Sequence, residues 1–300
     1  MTLVSNRYAA IDIGSNAIRL LIMDVHEYRQ KTYFKKVSLT RVPVRLGEDV
    51  FIKGKISKRN RKRMMHALKS FYHLMELHEI TDYKACATSA MRDSKNGKEI
   101  VEEIQSETGI NIEVIDGKRE AEIIYSTHIE ELIDPSKNYV YIDVGGGSTE
   151  LTLFANGKQQ MLQSFNIGTI RILHDLVAHE EWERMKIWLK ENARDLSNLY
   201  AIGSGGNINR LYKMAGKSNW KNIKRSEIKG LFDMLSSYSY EERVTELNLN
   251  KDRADVIIPA STIFLNVLRW SKAKEVIVPK MGLSDGLVRL MHSKQKKVPN

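Results

Sequence analysis

Across its 300 residues the sequence has a single cysteine, no long apolar run and no low-complexity linker. With Cys86 alone, no internal disulfide can form. Its setting, Tyr83-Lys-Ala-Cys-Ala87, reads as a buried strand thiol rather than a nucleophile. No stretch approaches the roughly 18 apolar residues of a membrane span, and the first apolar run is interrupted by Asp12 and Arg19. A membrane protein is therefore not expected. No basic-then-apolar leader pattern opens the sequence, and a cytoplasmic location is expected. Helix-turn-helix, zinc-ligand and aromatic-stacking signatures are missing as well, so nucleic acid is not the expected partner.

What is present is the composition of an ordinary globular protein, 42% hydrophobic and 28% charged. The length suits two domains, each with its own core. A net charge of +10 and a pI near 9.4 favour polyanionic partners: nucleic acid, polyphosphate or a charged nucleotide. Charge alone does not choose among them.

The informative stretch is Tyr139-Val-Tyr-Ile-Asp143-Val-Gly145-Gly146-Gly147-Ser148-Thr149. Its β-branched and aromatic opening favours a buried strand. The glycines permit close backbone approach, and successive N–H groups in such a turn form a concave anion site. A carboxylate beside that site makes sense if a cation lies between, and Mg²⁺ bridging phosphate oxygens would resolve the conflict. One copy of the pattern reads as a Gly-rich hairpin turn. A second copy, Tyr8-Ala-Ala-Ile-Asp12-Ile-Gly14-Ser15-Asn16, shifts the reading, because Asp12 and Asp143 stand 131 positions apart. That period is too long for a solenoid unit and fits two related domains, each offering one phosphate loop to a shared cleft.

In chain order, strands are expected at 7–13, 17–24 and 30–41, followed by an irregular loop over Arg41–Asp49. That loop is either a surface connector or a means of placing Arg45 near the first phosphate loop. Ser57 is a plausible N-cap for a helix to about residue 79, with Met64, Leu68, Phe71, Leu74 and Met75 on its apolar stripe. Its opening Lys58-Arg-Asn-Arg-Lys-Arg63 opposes the helix macrodipole and reads as a solvated face, with an anion patch as the minor alternative. A strand at 83–87, a loop at 88–93, a helix at 96–108 and a strand at 110–115 lead to Asp116-Gly117 and a helix over 118–132. Glu120 and Glu122 lie in its first turn, where carboxylates suit the dipole.

The second half repeats the plan: strands at 138–144, 149–154 and 158–165, the last two joined by an Asn156-Gly157 hairpin. Helices at 169–177 and 180–195 precede a strand at 198–202. Gly203-Ser-Gly-Gly206 then forms a third strand–glycine–helix junction suited to anions. Helices at 225–237, 239–246 and 253–270, a strand at 274–278, and a final helix with a basic tail complete the chain.

These residues resemble the exopolyphosphatase / guanosine pentaphosphate phosphatase (Ppx/GppA) family, from Asp12 to about Leu290. Asp12-Ile-Gly-Ser-Asn16 and Asp143-Val-Gly-Gly-Gly-Ser-Thr-Glu150 are similar to its two phosphate motifs. Thr88-Ser-Ala-Met-Arg92 resembles the loop of its substrate-binding arginine. Asp116-Gly-Lys-Arg-Glu120-Ala resembles the segment whose second glutamate is the catalytic base. Gly168-Thr-Ile-Arg171, Gly203–Gly206 and Arg253-Ala-Asp255 match further landmarks. Ala17, Arg119, Glu122 and Ser284-Asp285 depart from the pattern, and the reversed charges beside Glu120 put activity or substrate preference in question.

The resemblance implies an α/β fold of two actin-like (ribonuclease H-like) domains, the superfold of acetate kinase, sugar kinases and actin. The expected domains are 1–126 and 127–283, with a final helix at about 284–298 packing back on the first. It implies a phosphoanhydride hydrolase in which Gly14, Ser15, Asn16, Arg92, Gly145, Gly146, Gly147, Ser148 and Thr149 hold phosphoryl groups. Mg²⁺ is expected near Asp143, Glu150 and Asp12, and Glu120 would deprotonate the attacking water. Inorganic polyphosphate is the expected substrate, with guanosine pentaphosphate as the alternative. A kinase of the same superfold and a non-catalytic sensor remain as competing classes. A homodimer is the commonest oligomer and hence the default.

Overall fold

The computed structural model describes residues 3–125, 134–196, 198–218, 222–279 and 281–296. The chain divides into two units, Met1–Thr127 with Gly282–Asn300, and His128–Met281.

The first unit opens with an antiparallel meander of β1 (Val4–Ile13), β2 (Ile18–Tyr28) and β3 (Lys31–Val42). From Tyr8 onward β1 is buried on both faces, as a central strand should be. Next come α1 (Leu46–Lys53), α2 (Lys58–Leu77), β4 (Asp82–Ala87), α3 (Ser89–Arg92), α4 (Gly97–Thr108), β5 (Ile112–Val114) and α5 (Gly117–Tyr125). The strands β4 and β5 join in parallel, giving the order β3-β2-β1-β4-β5. The N-cap of α2 is Ser57, whose side chain accepts from Asn60 N–H, and Met64, Leu68, Phe71 and Met75 face the core. Within the basic opening of α2, Arg61 pairs with Glu99 and Glu103 of α4, and Arg63 donates to the Pro43 and Val44 carbonyls. Lys58, Arg59 and Lys62 are exposed, as a solvated face requires.

The loop expected over Arg41–Asp49 is in part the helix α1. Its N-cap, Arg45, adopts a left-handed backbone (φ 61°) and offers no side-chain cap. The capping signal that marks a helix start in sequence is therefore missing.

The second unit repeats the meander with β6 (Asn138–Val144), β7 (Thr149–Ala155) and β8 (Lys158–Phe165). Asn156 and Gly157 both have positive φ, as their hairpin turn demands. The chain continues through α6 (Thr169–Leu173), α7 (His179–Asn192), β9 (Leu199–Ser204), α8 (Gly206–Met214), β10 (Ile223–Lys224), α9 (Arg225–Ser237), α10 (Tyr240–Thr245), α11 (Lys251–Ala254), α12 (Ile257–Trp270) and β11 (Glu275–Ile277). The sheet order is β10-β11-β9-β6-β7-β8, the first unit's order plus an antiparallel edge strand. The single helix expected over 253–270 is two. Pro259 lies in the first turn of α12, where its missing N–H costs no intrahelical bond, so the chain restarts there instead of continuing from α11. Each unit is α/β, a mixed sheet with helices, as expected.

The last helix, α13 (Leu283–Lys296), belongs to the first unit and packs on α5 and β1. Asp285 accepts from Gly282 N–H and pairs with Lys36 at 2.8 Å, so this departure from the family pattern caps a helix. The expected continuation of α5 to Leu132 and of the final helix beyond Lys296 lies outside the described residues. Among those described, no helix is long and apolar enough to cross a membrane.

A Cβ at Gly286 would stand 2.2 Å from the Ile123 carbonyl oxygen, so α13 touches α5 backbone to backbone. Gly286→Ala is expected to lower stability by about 1–3 kcal/mol, the usual cost of overpacking. The check is the urea midpoint at constant m-value.

Candidate active site

In the second unit Asp143 lies near the end of β6, and the turn Gly145–Ser148 connects to β7. The turn is closed by Gly145 N–H donating to the Ser148 carbonyl at 2.9 Å. Three consecutive carbonyls are then taken from one side. Gly145 O accepts from Thr169 N–H (3.0 Å), Gly146 O from Ile170 N–H (2.9 Å) and Gly147 O from Arg171 Nε (2.9 Å). In a planar trans peptide the N–H points opposite to the C=O, and no peptide bond here is cis. The N–H groups of Gly146, Gly147 and Ser148 are therefore turned to the other side. Among the described residues no acceptor is paired with the Gly146 or Gly147 N–H. This is the donor array an anion requires.

Gly168 makes the arrangement possible. A Cβ there would fall 2.3 Å from Gly146 O and 2.4 Å from the carbonyl carbons of Gly146 and Gly147, so only glycine fits behind the turn. The segment is held by Glu181, which accepts from Asn166 N–H at 2.7 Å and pairs with Arg184. Arg184, helped by that N–H, keeps the Glu181 carboxyl below the usual carboxylate range.

Glu150 stands directly across the ladder from Asp143. Directly opposed like charges destabilise a strand pair, and the pair persists beside a backbone anion site. Glu150 is almost fully buried, and its Oε1 accepts from Ser148 Oγ (2.7 Å) and Ser164 Oγ (3.0 Å). The β9–α8 junction converges on the same place. Ser204 pairs in register with Asp143, and a Cβ at Gly205 would lie 3.6 Å from Asp143 Oδ1. Arg253 Nη1 donates to Gly206 O, tying α11 to that junction.

The first unit builds its turn in the same way. Gly14 N–H donates to Ala17 O (3.1 Å), Ser15 O accepts from Gly47 N–H (2.8 Å) and Asn16 O from Arg45 N–H (3.0 Å). From the turn a contact path leads onward. Ser15 Oγ bonds Ser89 Oγ (2.8 Å) on α3, the helix that carries Arg92. Arg92 Nη1 donates to Ile115 O (2.9 Å), just before the turn that starts α5. Glu120 lies in the first turn of α5, partly exposed. The structure thus joins Asp12, Gly14–Asn16, Arg92 and Glu120 within one unit, and Asp143, Gly145–Ser148 and Glu150 within the other.

Several expectations change. The Thr149 hydroxyl does not face a phosphate: it is fully buried and donates to Ile167 O, because Thr149 begins β7 with its side chain toward the returning segment. The Ser148 hydroxyl is engaged with Glu150, leaving the backbone as the anion donor at that position. Asp12 already has a cation, since Arg19 Nη1 lies 2.5 Å from its Oδ2. Arg19 was missed from sequence, yet the 131-residue repeat places it opposite Asp12 as Glu150 is opposite Asp143. Arg119 and Glu122, the charge reversals flanking Glu120, pair with each other at 3.2 Å on the exposed face of α5. Cys86 is buried in β4, and burial pushes its thiol up to about 12, consistent with an inert core residue.

Both units thus place an aspartate, Asp12 or Asp143, near the end of a central strand, before a turn whose carbonyls are held by neighbouring backbone or side chains. The chain belongs to the Ppx/GppA phosphatase family, whose model matches residues 22–295. It is 30% identical over 296 residues to the bifunctional 3-dehydroquinate synthase/phosphatase of Fusobacterium nucleatum, an alignment covering 90% of this chain and 44% of that protein. The chain thus spans less than half that relative's length. Exopolyphosphatase 1 of Mycobacterium tuberculosis is 21% identical, with 94% of this chain and 87% of the relative covered. Among solved structures, the Ppx/GppA family member of Aquifex aeolicus matches with TM-score 0.76 and 25% identity, over 98% of this chain and 100% of its own. An exopolyphosphatase from Cytophaga hutchinsonii matches in fold with TM-score 0.83 and 24% identity, over 96% and 98%.

A group with a depressed folded pKa stabilises above its unfolded value, about 4.3 for Glu, and loses that contribution as pH falls through the folded value. Melting temperature followed downward from pH 6 should therefore drop less in Glu181→Gln than in the wild type. Parallel curves would mean that the Glu181 contacts contribute nothing. Gly168→Ala should push the triglycine turn forward and abolish any thermal shift given by added phosphate, even where the variant stays folded by circular dichroism.

Proposed function

We propose that this chain is an exopolyphosphatase that releases terminal orthophosphate from inorganic polyphosphate. The observation that carries the reading is the Gly145–Ser148 turn, whose Gly146, Gly147 and Ser148 N–H groups are oriented together beside the opposed carboxylates Asp143 and Glu150. Relatives carrying that activity in their names, matched over nearly the whole chain, support the choice of substrate.

Each unit's turn offers N–H groups suited to phosphoryl oxygens, those of 146–148 in the second unit and of 16–17 in the first, and Arg92 adds a charge-assisted donor. Glu120 takes the proton of the attacking water, whose oxygen bonds the terminal phosphorus while the P–O bond to the shortened chain breaks in line; the chain is the leaving group and the terminal phosphoryl becomes orthophosphate. Positioning and charge stabilisation supply most of the acceleration, since phosphoryl transfer needs little covalent chemistry from the protein.

Asp143 and Glu150 suit a hard divalent cation. Among the described residues no group of three or more His, Cys, Asp or Glu side chains is placed to hold a metal. Two carboxylates, completed by water and substrate oxygens, are the usual Mg²⁺ arrangement. When bound there, Mg²⁺ would neutralise phosphate charge. The Asp12–Arg19 pair makes Asp12 the weakest of the three expected ligands.

The mutual pairing of Arg119 and Glu122 favours turnover over a silent sensor, because the net charge beside Glu120 is balanced. Glu120→Gln should retain polyphosphate binding and lose phosphate release by about 10²–10⁴-fold, the range for a general base. Asp143→Asn should raise the Mg²⁺ concentration needed for half-maximal rate. The measurement is phosphate release from polyphosphate, guanosine pentaphosphate and ATP side by side. Normal turnover by Glu120→Gln would remove the base assignment, and preference for the nucleotide would replace the substrate.

A further inference from the structure

A groove of about 1350 Å³ opens in the second unit, away from the triglycine turn. It lies where β9 begins, with Leu199 and Tyr200 in its wall, whereas Ser204 at the other end of β9 stands beside Asp143. Five residue steps at about 3.3 Å each put the two ends roughly 17 Å apart along the strand. One wall carries Lys190 and Arg194 from α7 and the turn after it. Another carries Lys224 and Arg225 at the start of α9. Arg269 closes α12, and Lys272 and Lys274 lie in the turn into β11. Against these seven cations the lining has one acid, Glu275, which accepts from Asn222 Nδ2 at 2.7 Å.

All seven basic side chains are exposed. Among the described residues no carboxylate forms an ion pair with any of them, whereas the basic side chains Arg61, Lys69, Arg184 and Lys229 all have acidic partners. Seven like charges gathered in a lining with one acid repel one another. A polyanion is the ligand that reverses that cost: several protein cations replace its condensed counter-ions, which are released to bulk water.

The groove also says which polyanion. It exceeds the roughly 300–1,000 Å³ of a small-molecule pocket, so it suits an extended ligand. Binding of nucleic-acid bases would need an open aromatic face, and the two rings in the lining are already flanked. Tyr200 has the Tyr139 ring at 5.8 Å and Lys137 Nζ at 5.2 Å, and Trp270 has Trp182 at 6.2 Å and Arg269 at 5.7 Å. We propose that this groove is a second polyanion site that grips a linear chain of phosphates lacking bases, independently of the phosphate turns. It stands whether or not those turns hydrolyse polyphosphate.

The test is binding of long-chain inorganic polyphosphate, and separately of single-stranded DNA, to the full chain over a salt series with chelator present. The triple variant Lys190→Glu/Arg225→Glu/Lys274→Glu takes one cation from each of three walls. It should bind polyphosphate at least about tenfold more weakly at physiological salt. Its log–log salt slope should flatten by about 2, at roughly 0.7 per phosphate contact. Lys58→Glu/Arg59→Glu/Lys62→Glu on α2 changes net charge equally and should stay within about twofold of wild type. Release of phosphate from tripolyphosphate, too short to reach the groove from the turn, should be unchanged in the groove triple. If charge reversal unfolds the protein, the Gln triple at the same positions replaces it, with the same direction expected. Wild-type binding by the groove variant, equal losses in both triples, or tighter binding of DNA than of polyphosphate overturns the proposal.

Discussion

Three hydrogen bonds that seize the carbonyls of Gly145, Gly146 and Gly147 from one side set the character of the second unit's candidate site. Because each peptide is a rigid plane, anchoring its oxygen aims its N–H. The donors come from the segment after β8, so the loop's chemistry is decided by residues about two dozen positions further along the chain. That segment approaches so closely that Gly168 has no room for a side chain.

The two turns share this scaffold and differ in charge. In the first unit the residue opposite the strand-end aspartate is Arg19, and the pair is internally neutral. In the second it is Glu150, and the pair has an excess of negative charge next to a donor array for anions. One duplicated geometry thus carries an ion pair in the first unit and two opposed acids in the second.

The parts of the fold legible in sequence are those with local causes. The Asn156-Gly157 turn requires two positive φ values and announces itself by residue type. Ser57 marks the start of α2 through its own side chain, and the Asp-x-Gly repeat marks both turns. Residues with distant causes were opaque. Arg45 caps α1 without a side-chain bond, the break before α12 depends on where Pro259 falls within its turn, and the Thr149 hydroxyl meets a carbonyl 18 positions away. Arg119 and Glu122 looked like two defects beside the proposed base; at a separation of three on a helix they form one exposed pair. The groove cations were invisible as a group, since four separate segments bring them together.

Cys86, set in β4 beside Asp12 and buried in the first sheet, is the chain's only thiol. Its raised pKa leaves almost no thiolate near neutrality, and a reagent reaches the sulfur only when the surrounding strands separate. The rate at which this protein is alkylated is therefore a clock for the opening of the first unit alone, silent to whatever happens in the second.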